Sequence, residues 1–191
     1  MSADRRLVAV PSQTVGPYLH LGLDTEPKLR QMCGPDTRGE RIRLRVRVID
    51  GAGEPLPDAL VELWQADASG TYVEAPDHAS SDPGAAFRGW GRSATDRHGW
   101  CDFETIRPGP TRAPDGRQQA SHINLCIFAR GLLRHIFTRL YFAGDPMLAD
   151  DPVLALVPEA RRATLMARDV DGTWVFEVRL QGAGETVFFD L

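Results

Sequence analysis

The sequence predicts a mainly β protein, best read as a β-sandwich, and three observations carry that prediction. Short segments in which apolar and polar residues alternate recur along the whole chain. Between them stand turns rich in glycine and proline, which number 18 and 14 among 191 residues. Only one segment has a helical pattern. Many short strands, Gly/Pro turns and a single small helix fit two packed sheets better than any alternating α/β plan.

Residues 1–40 sustain neither period and read as an extended N-terminal arm, ahead of one sandwich domain over 41–191. Pro11–Tyr18 (PSQTVGPY) is punctuated by Gly16 and Pro17, and Pro27 and Pro35 interrupt the remainder of the arm. Ordering such an arm costs conformational entropy, so Tyr18, Leu19, Leu21 and Leu23 need cover from the domain or from a partner. Residues 41–49 are the clearest strand: Ile42, Leu44, Val46 and Val48 alternate with four arginines, giving one buried and one charged face. Asp50-Gly51 is a hairpin signal, and the next strand spans Ala59–Gln65, where Trp64 is expected in the core. A short strand is expected at Thr71–Ala75. Arg92–Thr95 and Gly99–Ile106 read as a hairpin about Asp96–Gly99, with Trp100, Asp102 and Glu104 on one face. Strands come next at 121–130 and 136–142. Pro158–Arg168 is the helix, opened by proline and Glu159 and closed by arginine. Trp174–Leu180 is a last long strand, and Glu185–Phe189 adds a short one.

Composition excludes some classes. The net charge of −4 argues against a nucleic-acid surface, the arginine row notwithstanding. That row is expected to be solvated or salt-bridged. No run of 18 apolar residues stands anywhere, and the first residues lack a signal-peptide pattern. Three cysteines without short spacing fit reduced thiols in the cytoplasm.

The chemistry-bearing stretch is Ser121–Arg130. Ile123, Leu125, Ile127 and Ala129 point to a core, whereas His122, Asn124, Cys126, Phe128 and Arg130 share the opposite face. Residues two apart on a strand face the same way, so histidines at 122 and 124 would serve one metal. Asn124 is a poor transition-metal ligand beside imidazole, and the motif is half of a metal site. His122 is therefore either a ligand or a packed, hydrogen-bonded histidine. Tyr72 is either a tyrosinate ligand or a half-buried tyrosine at a strand end. His20, His78, His98 and His135 show no metal-ligand spacing, and neither a nucleophile elbow nor a phosphate-binding glycine loop is present. Arg130 lies eight residues beyond His122, roughly 26 Å along an extended strand, so the two cannot serve one pocket of one chain. Arg130 is either a surface arginine or projects into a pocket on a neighbouring subunit.

At these residues the sequence resembles the intradiol ring-cleavage dioxygenases. The resemblance is carried by Pro11–Tyr18, Leu63–Tyr72 (LWQADASGTY), His122-Ile123-Asn124, Phe128–Gly131, Arg139–Phe142 and Gly184–Asp190 (GETVFFD), in order, from about residue 8 to the C-terminus. It implies a β-sandwich around a non-haem ferric iron held by two tyrosinates and two histidines. Tyr72 and His122 match one ligand of each kind. The second tyrosine falls where Thr111 stands and the second histidine where Asn124 stands, so this chain is expected to bind no metal itself.

That departure implies the catalytically silent α chain of a two-chain member, beside a β chain that carries the Fe(III). The implied reaction opens 3,4-dihydroxybenzoate (protocatechuate) with O2 to 3-carboxy-cis,cis-muconate, within aromatic catabolism by the β-ketoadipate route. The positions that match the silent chain's contributors to the partner's substrate pocket are Thr14, Gly16, Pro17 and Arg130. Arg130 suits the ring carboxylate, and Gly16 with Pro17 would give a backbone of close approach. Two other readings stand beside this one: a self-sufficient dioxygenase, and a non-enzymatic β-sandwich binding or scaffold protein.

Overall fold

The computed structural model describes residues 9–16, 18–24, 26–73 and 87–190. Ten strands follow in order: β1 (Arg41–Ile49), β2 (Leu60–Trp64), β3 (Trp90–Ala94), β4 (Trp100–Ile106), β5 (Thr111–Arg112), β6 (Gln118–Gln119), β7 (His122–Phe128), β8 (Ile136–Phe142), β9 (Met166–Val170) and β10 (Thr173–Arg179). Two short helices, α1 (Leu19–Leu23) and α2 (Glu159–Arg162), complete the regular structure with four 3₁₀ turns.

The alternation in β1 dictates its place. Leu44, Val46 and Val48 are wholly buried, while Arg45 pairs with Asp102 at 2.7 Å and Arg47 reaches Glu177 at 3.8 Å. Both guanidinium groups also lie over the Trp100 ring, at 4.8 and 5.4 Å. The arginine row is a salt-bridged face. β1 runs parallel to β10 and antiparallel to β4, and β9 flanks β10, in the order β9-β10-β1-β4. The second layer has the order β3-β2-β7-β8. A short parallel pairing of Tyr141 with Met166 and Phe142 with Ala167 joins the layers at one edge. Val46, Phe103, Phe176 and Val178 from one layer meet Val61, Leu63, Ile123, Leu125 and Ile127 from the other in a single core. Each large apolar side chain buried there contributes about 2 kcal/mol. The expected sandwich is the observed fold. Among the described residues, no helix is long and apolar enough to cross a membrane.

Several local expectations are corrected. Helix α2 covers only Glu159–Arg162, and a 3₁₀ turn leads straight into β9. Leu165 and Ala167 are both fully buried two positions apart, a strand period that overrides the helical one once β10 offers a partner. The Asp50 turn forms, with its carboxylate accepting from Ala52 N at 2.8 Å and Glu54 N at 2.9 Å. The pairing ends at Ile49–Pro55, however, and the chain crosses to the other layer. The Asp96–Gly99 turn likewise joins strands of opposite layers rather than a hairpin. Trp64 is 57% exposed: Leu63 takes the inward position of β2, so Trp64 must point outward. Residues 71–73 are irregular, while Glu74, Ala75 and His78 lie outside the described residues. Glu185–Phe189 contributes one bridge, Phe137–Phe189.

The arm contains α1, which its sequence did not suggest. Met32 fixes the arm's end in the core at 1% exposure, donating its N–H to Glu104 O at 2.8 Å. Tyr18 and Leu21 stay exposed.

One turn governs the approach to Tyr72. Asp67 Oδ1 accepts from Ser69 N and Thr71 N at 2.8 and 3.0 Å, and Gly70 adopts φ +83° with the Pro110 carbonyl oxygen occupying the place a Cβ would take. Only glycine fits there. Gly70→Ala is expected to cost at least about 2 kcal/mol, read as a lowered midpoint in denaturant unfolding at unchanged slope; an unshifted midpoint would mean the Arg107–Pro110 segment yields freely.

Candidate functional site

β7 lies between β2 and β8, its inner residues in the core and His122 buried at its start at 1% exposure. Its outer face brings three of the predicted residues together. Tyr72 Oη lies 3.2 Å from His122 Nε2, and Asn124 Nδ2 donates to the same oxygen at 3.1 Å and to Trp64 O at 3.4 Å. The edge of Trp64 packs on Tyr72 with ring centroids 5.7 Å apart.

The direction of each bond follows from one fixed point. His122 Nδ1 donates to Ala120 O at 2.8 Å, so Nε2 carries the lone pair and accepts from the Tyr72 hydroxyl. The Tyr72 oxygen in turn accepts from Asn124. The carboxamide oxygen of Asn124 accepts from Arg139 Nε at 3.0 Å. Arg139 also donates to Gln119 Oε1 at 2.7 Å and reaches Tyr141 Oη at 3.4 Å. Tyr141 donates to Asp151 Oδ1 at 2.9 Å, and Asp151 Oδ2 accepts from Ala120 N at 2.8 Å. The ring of bonds closes. Burial, and after it the Arg139 guanidinium, pushes the His122 imidazole down from 6.5 to about 4, while burial raises the Tyr141 phenol above its ordinary value.

Thr111, opposite Gln119 in the β5–β6 pair, is buried, and its hydroxyl has no hydrogen-bond partner among the described residues. Sequence reasoning misses Gln119 and Asp151 altogether, and meets Arg139 and Tyr141 only inside the motif Arg139–Phe142, with no role attached. Arg139 and Tyr141 stand directly across the ladder from Asn124 and His122; the available signal was an arginine inside the apolar strand 136–142.

This donor set does not fit a ferric ion. The lone pairs of Tyr72 and His122 are engaged within the cluster, Asn124 presents an amide, and a guanidinium adjoins the place a cation would take. Among the described residues no three His, Cys, Asp or Glu side chains gather as metal ligands.

Of the remaining predicted residues, Thr14 and Arg130 come together at the far end of β7. The strand stops at Phe128, so Arg130 sits in the following turn, its side chain 48% exposed and 3.7 Å from Asp58. Thr14 Oγ1 accepts from Gly131 N at 2.7 Å, tying the arm to that turn. Asp58, at the unusual φ of 63°, also lies 3.7 Å from His20 of α1. A Cβ at Gly16 would meet nothing within 4 Å, so no close approach within this chain requires glycine there. Pro17 lies outside the described residues.

His122 supplies a pH test. Its folded pKa lies below the unfolded value, so the unfolded chain takes up the proton first. The stability that neutral His122 contributes is complete above pH 6.5 and is lost as pH falls towards about 4, by up to about 3 kcal/mol. Urea unfolding of His122→Gln is expected to show a flatter fall between pH 6.5 and 4.5; an unchanged slope would remove His122 as the titrating group.

Comparison with known proteins agrees with this fold. The family model described as Dioxygenase matches residues 15–182. The α chain of protocatechuate 3,4-dioxygenase from Pseudomonas putida is 41% identical over 201 positions, covering 96% of this chain and 97% of that one. The β chain of the same enzyme from Burkholderia cepacia is 37% identical over 158 positions, covering 78% and 67%. The solved structure of catechol 1,2-dioxygenase from Acinetobacter sp. ADP1, inhibited by bound mercury, aligns at a TM-score of 0.60 and 26% identity over 81% of this chain, which spans 58% of that protein. The chain belongs to the intradiol dioxygenase family, a family of iron-dependent enzymes, with α chains of protocatechuate 3,4-dioxygenase among its relatives.

Proposed function

We propose that this chain is the α subunit of a protocatechuate 3,4-dioxygenase, which walls the substrate pocket of an iron-bearing β partner. The observation that carries the reading is the state of the family's ligand positions. Tyr72 and His122 keep their residue types but bond to each other and to Asn124. The near full-length match to an α chain supports it, and the occurrence of both α and β chains among the relatives fits a hetero-oligomer.

In this reading the ring of 3,4-dihydroxybenzoate opens between its two hydroxylated carbons, both atoms of O2 entering the product 3-carboxy-cis,cis-muconate. The metal chemistry belongs to the partner. This chain binds and orients: the Arg130 guanidinium pairs with the ring carboxylate, and Thr14 holds the Arg130–Gly131 turn through the Gly131 N–H. Asp58 draws the guanidinium and α1 to one place. Gly16, with nothing within 4 Å of its Cβ position, leaves room for a partner's backbone or the substrate, and Pro17 is proposed beside it as a pocket residue. Residues 1–40 act as an arm over the partner, which would cover Tyr18 (76% exposed) and Leu21 (61%), and the complex works in the cytoplasm.

Expressed alone, the chain should carry no stoichiometric iron and no ring-cleavage activity, and both should appear on co-expression with a β chain. Iron and turnover in the lone chain would overturn the assignment. In the assembled enzyme, Arg130→Ala should raise KM for protocatechuate roughly tenfold or more, with a smaller rise for Thr14→Val. An unchanged KM in Arg130→Ala would remove the carboxylate role.

A further inference from the structure

We propose that Arg139 is a built-in cation that closes this chain's polar cluster to metal ions. The inference deepens the division of labour proposed above and rests on it only for assigning the iron to the partner. Positions 122 and 124 face the same way on β7, and Tyr72 Oη stands 3.2 and 3.1 Å from the side chains there. Three donors thus converge on one point, the arrangement a small metal site needs. What stands against it comes from the next strand. The β7–β8 register sets Arg139 directly opposite Asn124, and its guanidinium is held on two sides, at 3.0 Å from Asn124 Oδ1 and 2.7 Å from Gln119 Oε1.

An arginine keeps its charge at every accessible pH. Held by side chains of β7 and β6 and partly shielded from water, it stays at the cluster. A metal ion at the cluster would lie within roughly 6 Å of this charge, a range at which like charges in a partly buried setting repel strongly. Arg139 does positive work as well. It orients the Asn124 amide so that its N–H, not its oxygen, meets the Tyr72 oxygen, which leaves the Tyr72 O–H to engage His122. The metal's place in the charge balance is taken by a side chain, and exchanging Asn124 for a better ligand would leave that charge untouched.

The full-length chain, as wild type, Asn124→His, Asn124→His/Arg139→Gln, Asn124→His/Arg139→Lys and Asn124→His/Gln119→Glu, would be titrated with Co2+ by calorimetry. Visible d–d absorption would report inner-sphere binding, and thermal melts would report folding. Wild type, Asn124→His and the Arg139→Lys double variant should bind weakly or not at all. The Arg139→Gln and Gln119→Glu double variants, one removing the charge and one pairing it with a carboxylate at hydrogen-bond distance, should bind at least about tenfold more tightly. Because Gln119→Glu retains the arginine, a folding defect of Arg139→Gln leaves the question answerable. Equal Co2+ affinity with the charge present and neutralised, or binding by neither neutralised variant, would overturn the proposal. Both outcomes are independent of whether a β chain confers ring cleavage.

Discussion

The structure depends on a constraint placed on β7, which must be buried along its inner face while carrying polar side chains on its outer one. A buried imidazole tolerates no idle nitrogen. With Ala120 O taking the Nδ1 proton of His122, every other orientation in the cluster is determined. Nε2 must accept, Tyr72 must donate, the phenol oxygen must accept from Asn124, and the amide oxygen must face Arg139. One burial fixes the tautomer of His122, the direction of the Tyr72 O–H and the rotation of the Asn124 amide. The same chain of bonds returns through Tyr141 and Asp151 to the backbone of Ala120, so the strand's entry is locked at both ends.

β7 consequently has two different ends. At its start the polar side chains satisfy one another. At its finish Ala129 is still in the core, and the next residue, Arg130, emerges into solvent beside Asp58, with the arm stitched to it through Thr14. A strand of this length separates the two ends beyond the reach of any side chain. The role proposed for Arg130 thus uses an end of β7 that is separate from the polar cluster at the other.

How much of this was legible in the sequence depended on whether a feature was local. The alternation in β1, β7 and β10 settled those strands, since the period-two pattern is printed in the residues themselves. Which layer a strand joins is not local: the Asp50 and Asp96 turns form as expected, yet each passes the chain to the opposite sheet. Pro158 to Arg168 satisfies a helical pattern, yet its second half turns into β9 once β8 and β10 offer ladders, and Trp64 is apolar but falls at an outward position. In the cluster, His122, Tyr72 and Asn124 could be named from type and spacing. Arg139 could not, because its meaning comes from cross-strand register, which no spacing within one strand reveals.

The proposed loss of half of a ligand set raises an energetic problem of its own. Donors arranged around a cation repel one another or sit unsatisfied once it is gone, and a buried polar group left unpaired costs about 1–3 kcal/mol. Replacing a ligand with an apolar residue would have left Tyr72 and His122 to compete for a single partner. Asn124 avoids this because an amide both donates and accepts: its nitrogen meets the phenol while its oxygen takes the charge of Arg139. Thr111 shows the alternative, a buried hydroxyl without a partner among the described residues. It pairs through its backbone with Gln119, the residue that holds Arg139, so its unpartnered hydroxyl lies beside the hydrogen-bonded cluster rather than within it. The cluster is stable because its cation is covalently part of the chain.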